Sequence, residues 1–253
     1  MNYTAYPAIN ALLDRLIPGL QTALGADLIG LYLYGSAVTG DFDDLLSDID
    51  LLAALERDID PPMFARLDAL HTALTAALPV WENRIEIAYM TRDALASFRE
   101  RRSPIGIISP GEPFHIKDAG MDWLMNWYLA RSIGVTLTGA PPETCIPPIP
   151  HADFIDAAKA HVIAWGGYFQ PHFSRPYQGY AILTMCRGVY TVRHGEQVSK
   201  QRAAAWAQTA FPQWAGLIGE ALEWRTHHRE PADPLATAPR TRAFIDFMIA
   251  QVT

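Results

Sequence analysis

The sequence predicts an α/β (α+β) domain with a small mixed sheet, followed by an all-α helical bundle domain. Three observations predict it. Residues up to about 138 alternate helical and strand-like hydrophobic periods. Residues 139–150, GAPPETCIPPIP, crowd five prolines into twelve positions. Beyond residue 151 almost every segment carries a helical period. The proline cluster reads as a linker, which places the domains at residues 1–140 and 151–253.

Residues 5–24 read as an amphipathic helix, with Ile9, Leu12, Leu13, Leu16 and Leu20 on one face. Pro18 is expected to kink it or end it early. Strands are expected at 28–34 and 48–55. Asp60-Pro61-Pro62 opens a helix to about 78, proline being well placed in a first turn. Residues 83–90, NRIEIAYM, alternate again and read as a third strand, and Thr91 or Asp93 caps a short helix to about 99. Residues 103–118 are broken by Pro and Gly and receive no assignment. Residues 119–134 form a tryptophan-rich helix, in which Trp123, Trp127 and Tyr128 fit a core stripe better than a ligand platform. Residues 135–138 make a short strand. Helices then follow at about 151–168, 176–193, 198–210, 213–228 and 238–252. Pro171, His194-Gly195, Phe211-Pro212 and the stretch from Pro231 to Pro239 separate them.

The 253 residues carry 20 Lys and Arg against 27 Asp and Glu, a net charge of −7. With no basic stripe, nucleic-acid binding is not expected. Cys145 and Cys186 are too few for a disulfide framework or a zinc site, and the His151, His161 and His227-His228 spacings suggest no zinc pairing. The N-terminus lacks a signal-peptide pattern, and no apolar run reaches the ~18 residues of a membrane span. A cytoplasmic protein without membrane attachment is expected.

The chemistry concentrates in residues 31–55, LYLYGSAVTGDFDDLLSDIDLLAAL. A strand ends at Gly35-Ser36, whose backbone N–H groups and hydroxyl suit an anion. About a dozen residues later Ser47-Asp48-Ile49-Asp50 opens the next strand. Strand side chains alternate, so Asp48 and Asp50 share a face. Two like carboxylates there suit a divalent cation, and Mg²⁺ favours carboxylate plus phosphate oxygens. Phosphate binder and metal clamp together are the equipment of nucleotidyl transfer. Glu86, on the third strand, shares a face with Arg84. If that strand lies beside 48–55, Glu86 is either a third metal ligand or a general base for an acceptor hydroxyl. Asp41, Asp43 and Asp44 extend the acidic loop between the two motif halves, most simply as solvated turn residues.

Gly35-Ser36 through Asp50 resembles the signature of the DNA polymerase β-type nucleotidyltransferases. The whole chain resembles the streptomycin/spectinomycin aminoglycoside adenylyltransferases, through IEI at 85–87, ARSIGVTLTGAPP ending at Pro142, and AILTMCRGVY at 181–190. The resemblance implies a nucleotidyltransferase domain joined to a helical domain, and transfer of AMP from ATP to a hydroxyl of a small acceptor of aminoglycoside type. It implies that Gly35, Ser36 and Ser47 bind the triphosphate. Asp48 and Asp50 would hold Mg²⁺, with Glu86 beside it as catalytic base. Arg187 and Lys200, on the helical domain, would contact ATP phosphates. A chain carrying both domains needs no second copy, so a monomer is expected.

The acceptor side departs from the family pattern. Where the drug-modifying enzymes carry acids before the AILTMCR-like helix, this chain reads YFQPHFSRPYQGY, residues 168–180, with no acid. Phe173 and Tyr177 stand about where acids are expected. The tryptophan that follows a Gly-Glu pair in the family is absent, since Pro113 follows Gly111-Glu112. Aromatics, His172 and Arg175 suit a flatter or less cationic acceptor. Glu112, Asp118 and Asp122 are the nearest alternative acids for an amine-bearing one. Two other functions fit less well: adenylylation of a protein or RNA, and a non-catalytic nucleotide-binding regulator.

Overall fold

The structure, a computed structural model, describes residues 3–40, 42–44, 46–226 and 233–253. It divides into two compact units at residue 149/150.

In the first unit the elements run α1 (Pro7–Leu24), β1 (Leu28–Tyr34), α2 (Ser36–Thr39), β2 (Ile49–Leu55), α3 (Pro61–Ala77), β3 (Ile85–Thr91), α4 (Arg92–Ser97), β4 (Ser103–Ser109), β5 (Glu112–Ala119), α5 (Leu124–Ser132) and β6 (Val135–Gly139). The six strands form one mixed sheet in the order β5-β4-β3-β2-β1-β6. Only β2 and β3 run parallel, joined by the α3 crossover; the other neighbours are antiparallel. Leu31, Leu33, Leu51, Ala53, Ile85 and Ile87 form the core with Leu12, Leu16 and Leu20 of α1 and Met63 and Leu67 of α3. The alternate residues, Tyr32, Tyr34, Leu52, Asp50 and Glu86, therefore face the other side.

The structure departs from the sequence reading at several points: Pro18 does not end the first helix early. Helix α1 runs through Pro18 to Leu24. Pro18 lies on the exposed face of the helix, where its ring meets solvent rather than the core. The unassigned 103–118 stretch is the β4–β5 hairpin. Pro104 is tolerated because β4 pairs with β3 only through residues 106–108, leaving that end bonded to β5 alone. The tryptophan-rich helix is also shorter than expected: α5 starts at Leu124, after a single 3₁₀ turn. Trp127 is fully buried in it. Residues 140–149 are not loose chain. Cys145, Ile146 and Ile149 are buried, and Tyr32 Oη donates to the Ala140 carbonyl at 2.9 Å.

A buried histidine sits on the core side of the sheet. Tyr89 Oη lies 2.8 Å from His71 Nε2, and both rings contact Phe114. Burial holds the Tyr89 phenol well above its usual range, so it donates to a neutral imidazole. Burial lowers the His71 pKa to about 4. The unfolded chain then takes up a proton near pH 6.5 that the folded chain refuses until about 4. This contribution to stability is intact above pH 6.5 and is lost as pH falls toward 4, a loss of roughly 3 kcal/mol. Denaturant unfolding at pH 7.5 and pH 5 is expected to show about 2 kcal/mol of this loss in the parent and a shallower dependence in His71→Leu. An identical pH dependence in both would refute it.

The second unit is helical: α6 (His151–Tyr168), α7 (Arg175–His194), α8 (Lys200–Ala210), α9 (Ala215–Thr226) and α10 (Pro234–Ala250). Helix α7 is central and packs against all four others. It is buried around most of its circumference, as its apolar AILTMC stretch requires. Buried Gln178 ties it to α10: its amide donates to the Phe173 and Pro234 carbonyls, and its oxygen accepts from the Thr237 and Thr241 hydroxyls. Helix α10 begins earlier than the 238 expected, because Asp233 caps it and Pro239 is accommodated within the helix. No helix among the described residues is long and apolar enough to cross a membrane.

Candidate functional site

The site grows from strand register. Tyr34 of β1 pairs with Asp50 of β2, and Asp50 pairs with Glu86 of β3. Pairing in register puts the three side chains in one row across the sheet, opposite the α1/α3 core. Asp48 precedes β2 by one residue and shares the face of Asp50. Asp48, Asp50, Glu86 and Ser36 are all half-buried, at the margin between core and solvent.

Gly35 makes the close approach possible. Its φ is +71°, and an added Cβ would overlap the Asp50 carboxylate. Only glycine meets both conditions. Behind the carboxylates stands Tyr34, 2% exposed, accepting a hydrogen bond from Asn126 Nδ2 of α5 at 3.2 Å. Burial, then the charges of Glu86 and Asp50, hold its phenol well above the usual tyrosine range. The hydroxyl is therefore neutral among the acids. Tyr34→Phe keeps the ring and removes the hydroxyl, stranding the Asn126 donor. It is expected to cost about 1 kcal/mol of stability, readable as a lower melting temperature.

Ser47, read from the sequence as a triphosphate contact, closes the turn before β2. It is 5% exposed, and its hydroxyl accepts the Asp43 N–H at 3.0 Å. Its O–H is still a donor, and Ser36 is the more exposed of the two hydroxyls. Among the described residues, no three His, Cys, Asp or Glu side chains are arranged to hold a metal ion by themselves. Glu86 is thus not part of a ready-made three-ligand cage. Two carboxylates completed by phosphate oxygens is an ordinary Mg²⁺ arrangement, and the Asp48/Asp50 pair fits it. Asp41 and His227-His228 lie outside the described residues.

In the helical unit, Arg187 and Lys200 come near one group. The His161 ring is held below the usual histidine range by desolvation, then by the charges of Arg187 and Lys200. Lys200 is the first residue of α8, behind the Ser199 cap, and its Nζ lies 3.9 Å from the Tyr180 ring centroid. The acid-free 168–180 segment packs ring on ring: Tyr168 with Phe173, Phe173 with Tyr177, and Tyr177 with Tyr180, with a 2.9 Å Tyr168–Tyr177 hydroxyl bond. Arg175 lies over Trp224.

Tyr34 and Asn126 are the members that reading the sequence missed. Tyr34 reads as one more apolar strand residue, and Asn126 is 92 residues away.

The first unit thus combines a mixed sheet with a Gly-Ser turn and acids on adjacent strands, and the second unit is helical. Residues 144–251 match the family model for the aminoglycoside adenylyltransferase C-terminal domain. The structure is similar to that of spectinomycin adenyltransferase AAD(9) from Enterococcus faecialis, solved with ATP and spectinomycin. Its TM-score is 0.74 at 18% sequence identity, over 96% of this chain and 98% of that one. No curated protein matches by sequence. The match to the family model is confined to the helical unit, and the likeness to the solved structure is one of fold over nearly the whole chain.

Proposed function

We propose that this protein transfers AMP from ATP to a hydroxyl of a small acceptor, with Mg²⁺ as the metal. The observation that carries the reading is the Tyr34–Asp50–Glu86 row set against Gly35-Ser36. Asp48 and Asp50 would hold Mg²⁺, which when bound offsets triphosphate charge. Gly35 lies against the Asp50 carboxylate, and Gly35 and Ser36 would position the phosphates. Glu86, in the same row, accepts the proton of the acceptor hydroxyl as its oxygen attacks the α-phosphorus, and pyrophosphate leaves. For Arg187 and Lys200 a role toward ATP phosphates is what the family resemblance implies. The neighbour solved with ATP and spectinomycin supports ATP as donor and an aminoglycoside-type acceptor as the class to test first.

The acid-free 168–180 segment favours an acceptor of lower positive charge than the polycationic drugs. Modification of an antibiotic would make this a resistance enzyme, working in the cytoplasm as a monomer. The test is pyrophosphate release from ATP and Mg²⁺ across streptomycin, spectinomycin and neutral hydroxylated compounds. Release with any of them supports the reading; ATP binding without release under every condition favours a nucleotide-binding regulator.

A further inference from the structure

Arg84 spends its donors on backbone carbonyls around the acidic turn. Its Nε and Nη2 both donate to the Ser47 carbonyl, at 2.9 and 2.7 Å. Nη2 also reaches the Asp43 carbonyl and Nη1 the Val80 carbonyl, each at 3.4 Å. The guanidinium lies over the Trp81 ring, 5.0 Å from its centroid. Trp81 is 2% exposed and packs on Phe42, inside the segment that joins the two motif halves. The Arg84 backbone joins the same junction: its carbonyl accepts the Ile49 N–H at 2.9 Å, opening the β2–β3 ladder.

One residue thus holds both ends of the carboxylate group. Its side chain fixes the carbonyl just before Asp48, and its backbone sits two residues before Glu86. Burial lowers the guanidinium pKa, while Asp43, Asp48 and Asp44 oppose that effect. A planar fork held on a ring suits a bidentate grip on one carbonyl; a lysine ammonium cannot reproduce it.

We propose that Arg84 is a positioning residue that pins the turn ending at Ser47 to the start of β3, setting Asp48 and Asp50 against Glu86 for metal–triphosphate binding. This rests on the nucleotidyltransferase reading, in which Arg84 itself touches neither ATP nor acceptor. Residues that orient metal ligands from behind typically govern metal affinity by 10–100-fold.

The test is ATP binding by the full-length protein, followed by calorimetry as MgCl₂ is raised, in the parent, Arg84→Met and Arg84→Lys. Thermal melting without ligand is read on each. The Mg²⁺ concentration for half-maximal ATP binding is expected to rise about tenfold or more in Arg84→Met, and less in Arg84→Lys. Excess Mg²⁺ restores binding in both, which a general loss of folded protein would not allow. If Arg84→Met does not fold, Arg84→Lys decides. An unchanged Mg²⁺ requirement in folded variants, or a loss that Mg²⁺ does not restore, would overturn the proposal. Absence of Mg²⁺-dependent ATP binding in the parent would instead sink the nucleotidyltransferase reading.

Discussion

Asp50→Asn is expected to lower turnover by about 10³-fold or more while the protein stays folded. Asp50 is the centre of the row, paired with Tyr34 on one side and Glu86 on the other, with its carboxylate against Gly35. Asparagine keeps the shape and removes the charge that a metal–triphosphate complex needs. The substitution also relieves repulsion among neighbouring acids, so its unfolding midpoint is expected to be equal to the parent's or higher. Steady-state kinetics and denaturant unfolding on one preparation separate the two effects. Parent-level turnover would remove Asp50 from the chemistry.

Gly35→Ala is expected to damage stability and activity together. A side chain at φ +71° is strained, and its methyl group would meet the Asp50 carboxylate. The strain alone costs about 1 kcal/mol or more. Relief can come only by moving the β1–α2 turn or displacing Asp50, and either disorders the row. Turnover is expected to fall at least about 10²-fold, with a lower melting temperature than the parent's. An alanine variant with parent kinetics would mean the close approach is unimportant.

The parts of this site that could be read from the sequence rest on short-range periodicity. Asp48 and Asp50 alternate with Ile49 and Leu51, and Glu86 alternates with Ile85 and Ile87, so their shared faces follow from the strand period. The β2–β3 pairing that joins them had to be assumed, because register between strands separated by α3 leaves no local trace. Tyr34 stayed hidden because a tyrosine in LYLY scores as core, and its role comes from lying opposite Asp50. Asn126 and the Arg84 clamp depend on elements distant in the chain. The β4–β5 hairpin was illegible for a different reason. Pro104 and Pro113 read as strand breakers, and only the limited pairing of β4 with β3 shows why Pro104 is harmless. Pro18 lies inside α1 rather than ending it, and the proline-bounded stretch to Pro239 hid the start of α10 at Pro234.

The proposed nucleotidyl-transfer centre is the Tyr34–Asp50–Glu86 row, with Glu86 as its base. The most direct measurement compares ATP affinity and pyrophosphate release in the parent and Glu86→Gln, at saturating Mg²⁺ with the best acceptor. Glu86→Gln is predicted to bind ATP as the parent does and to release pyrophosphate at least about 10²-fold more slowly. Release at the parent rate would mean that Glu86 is not the base.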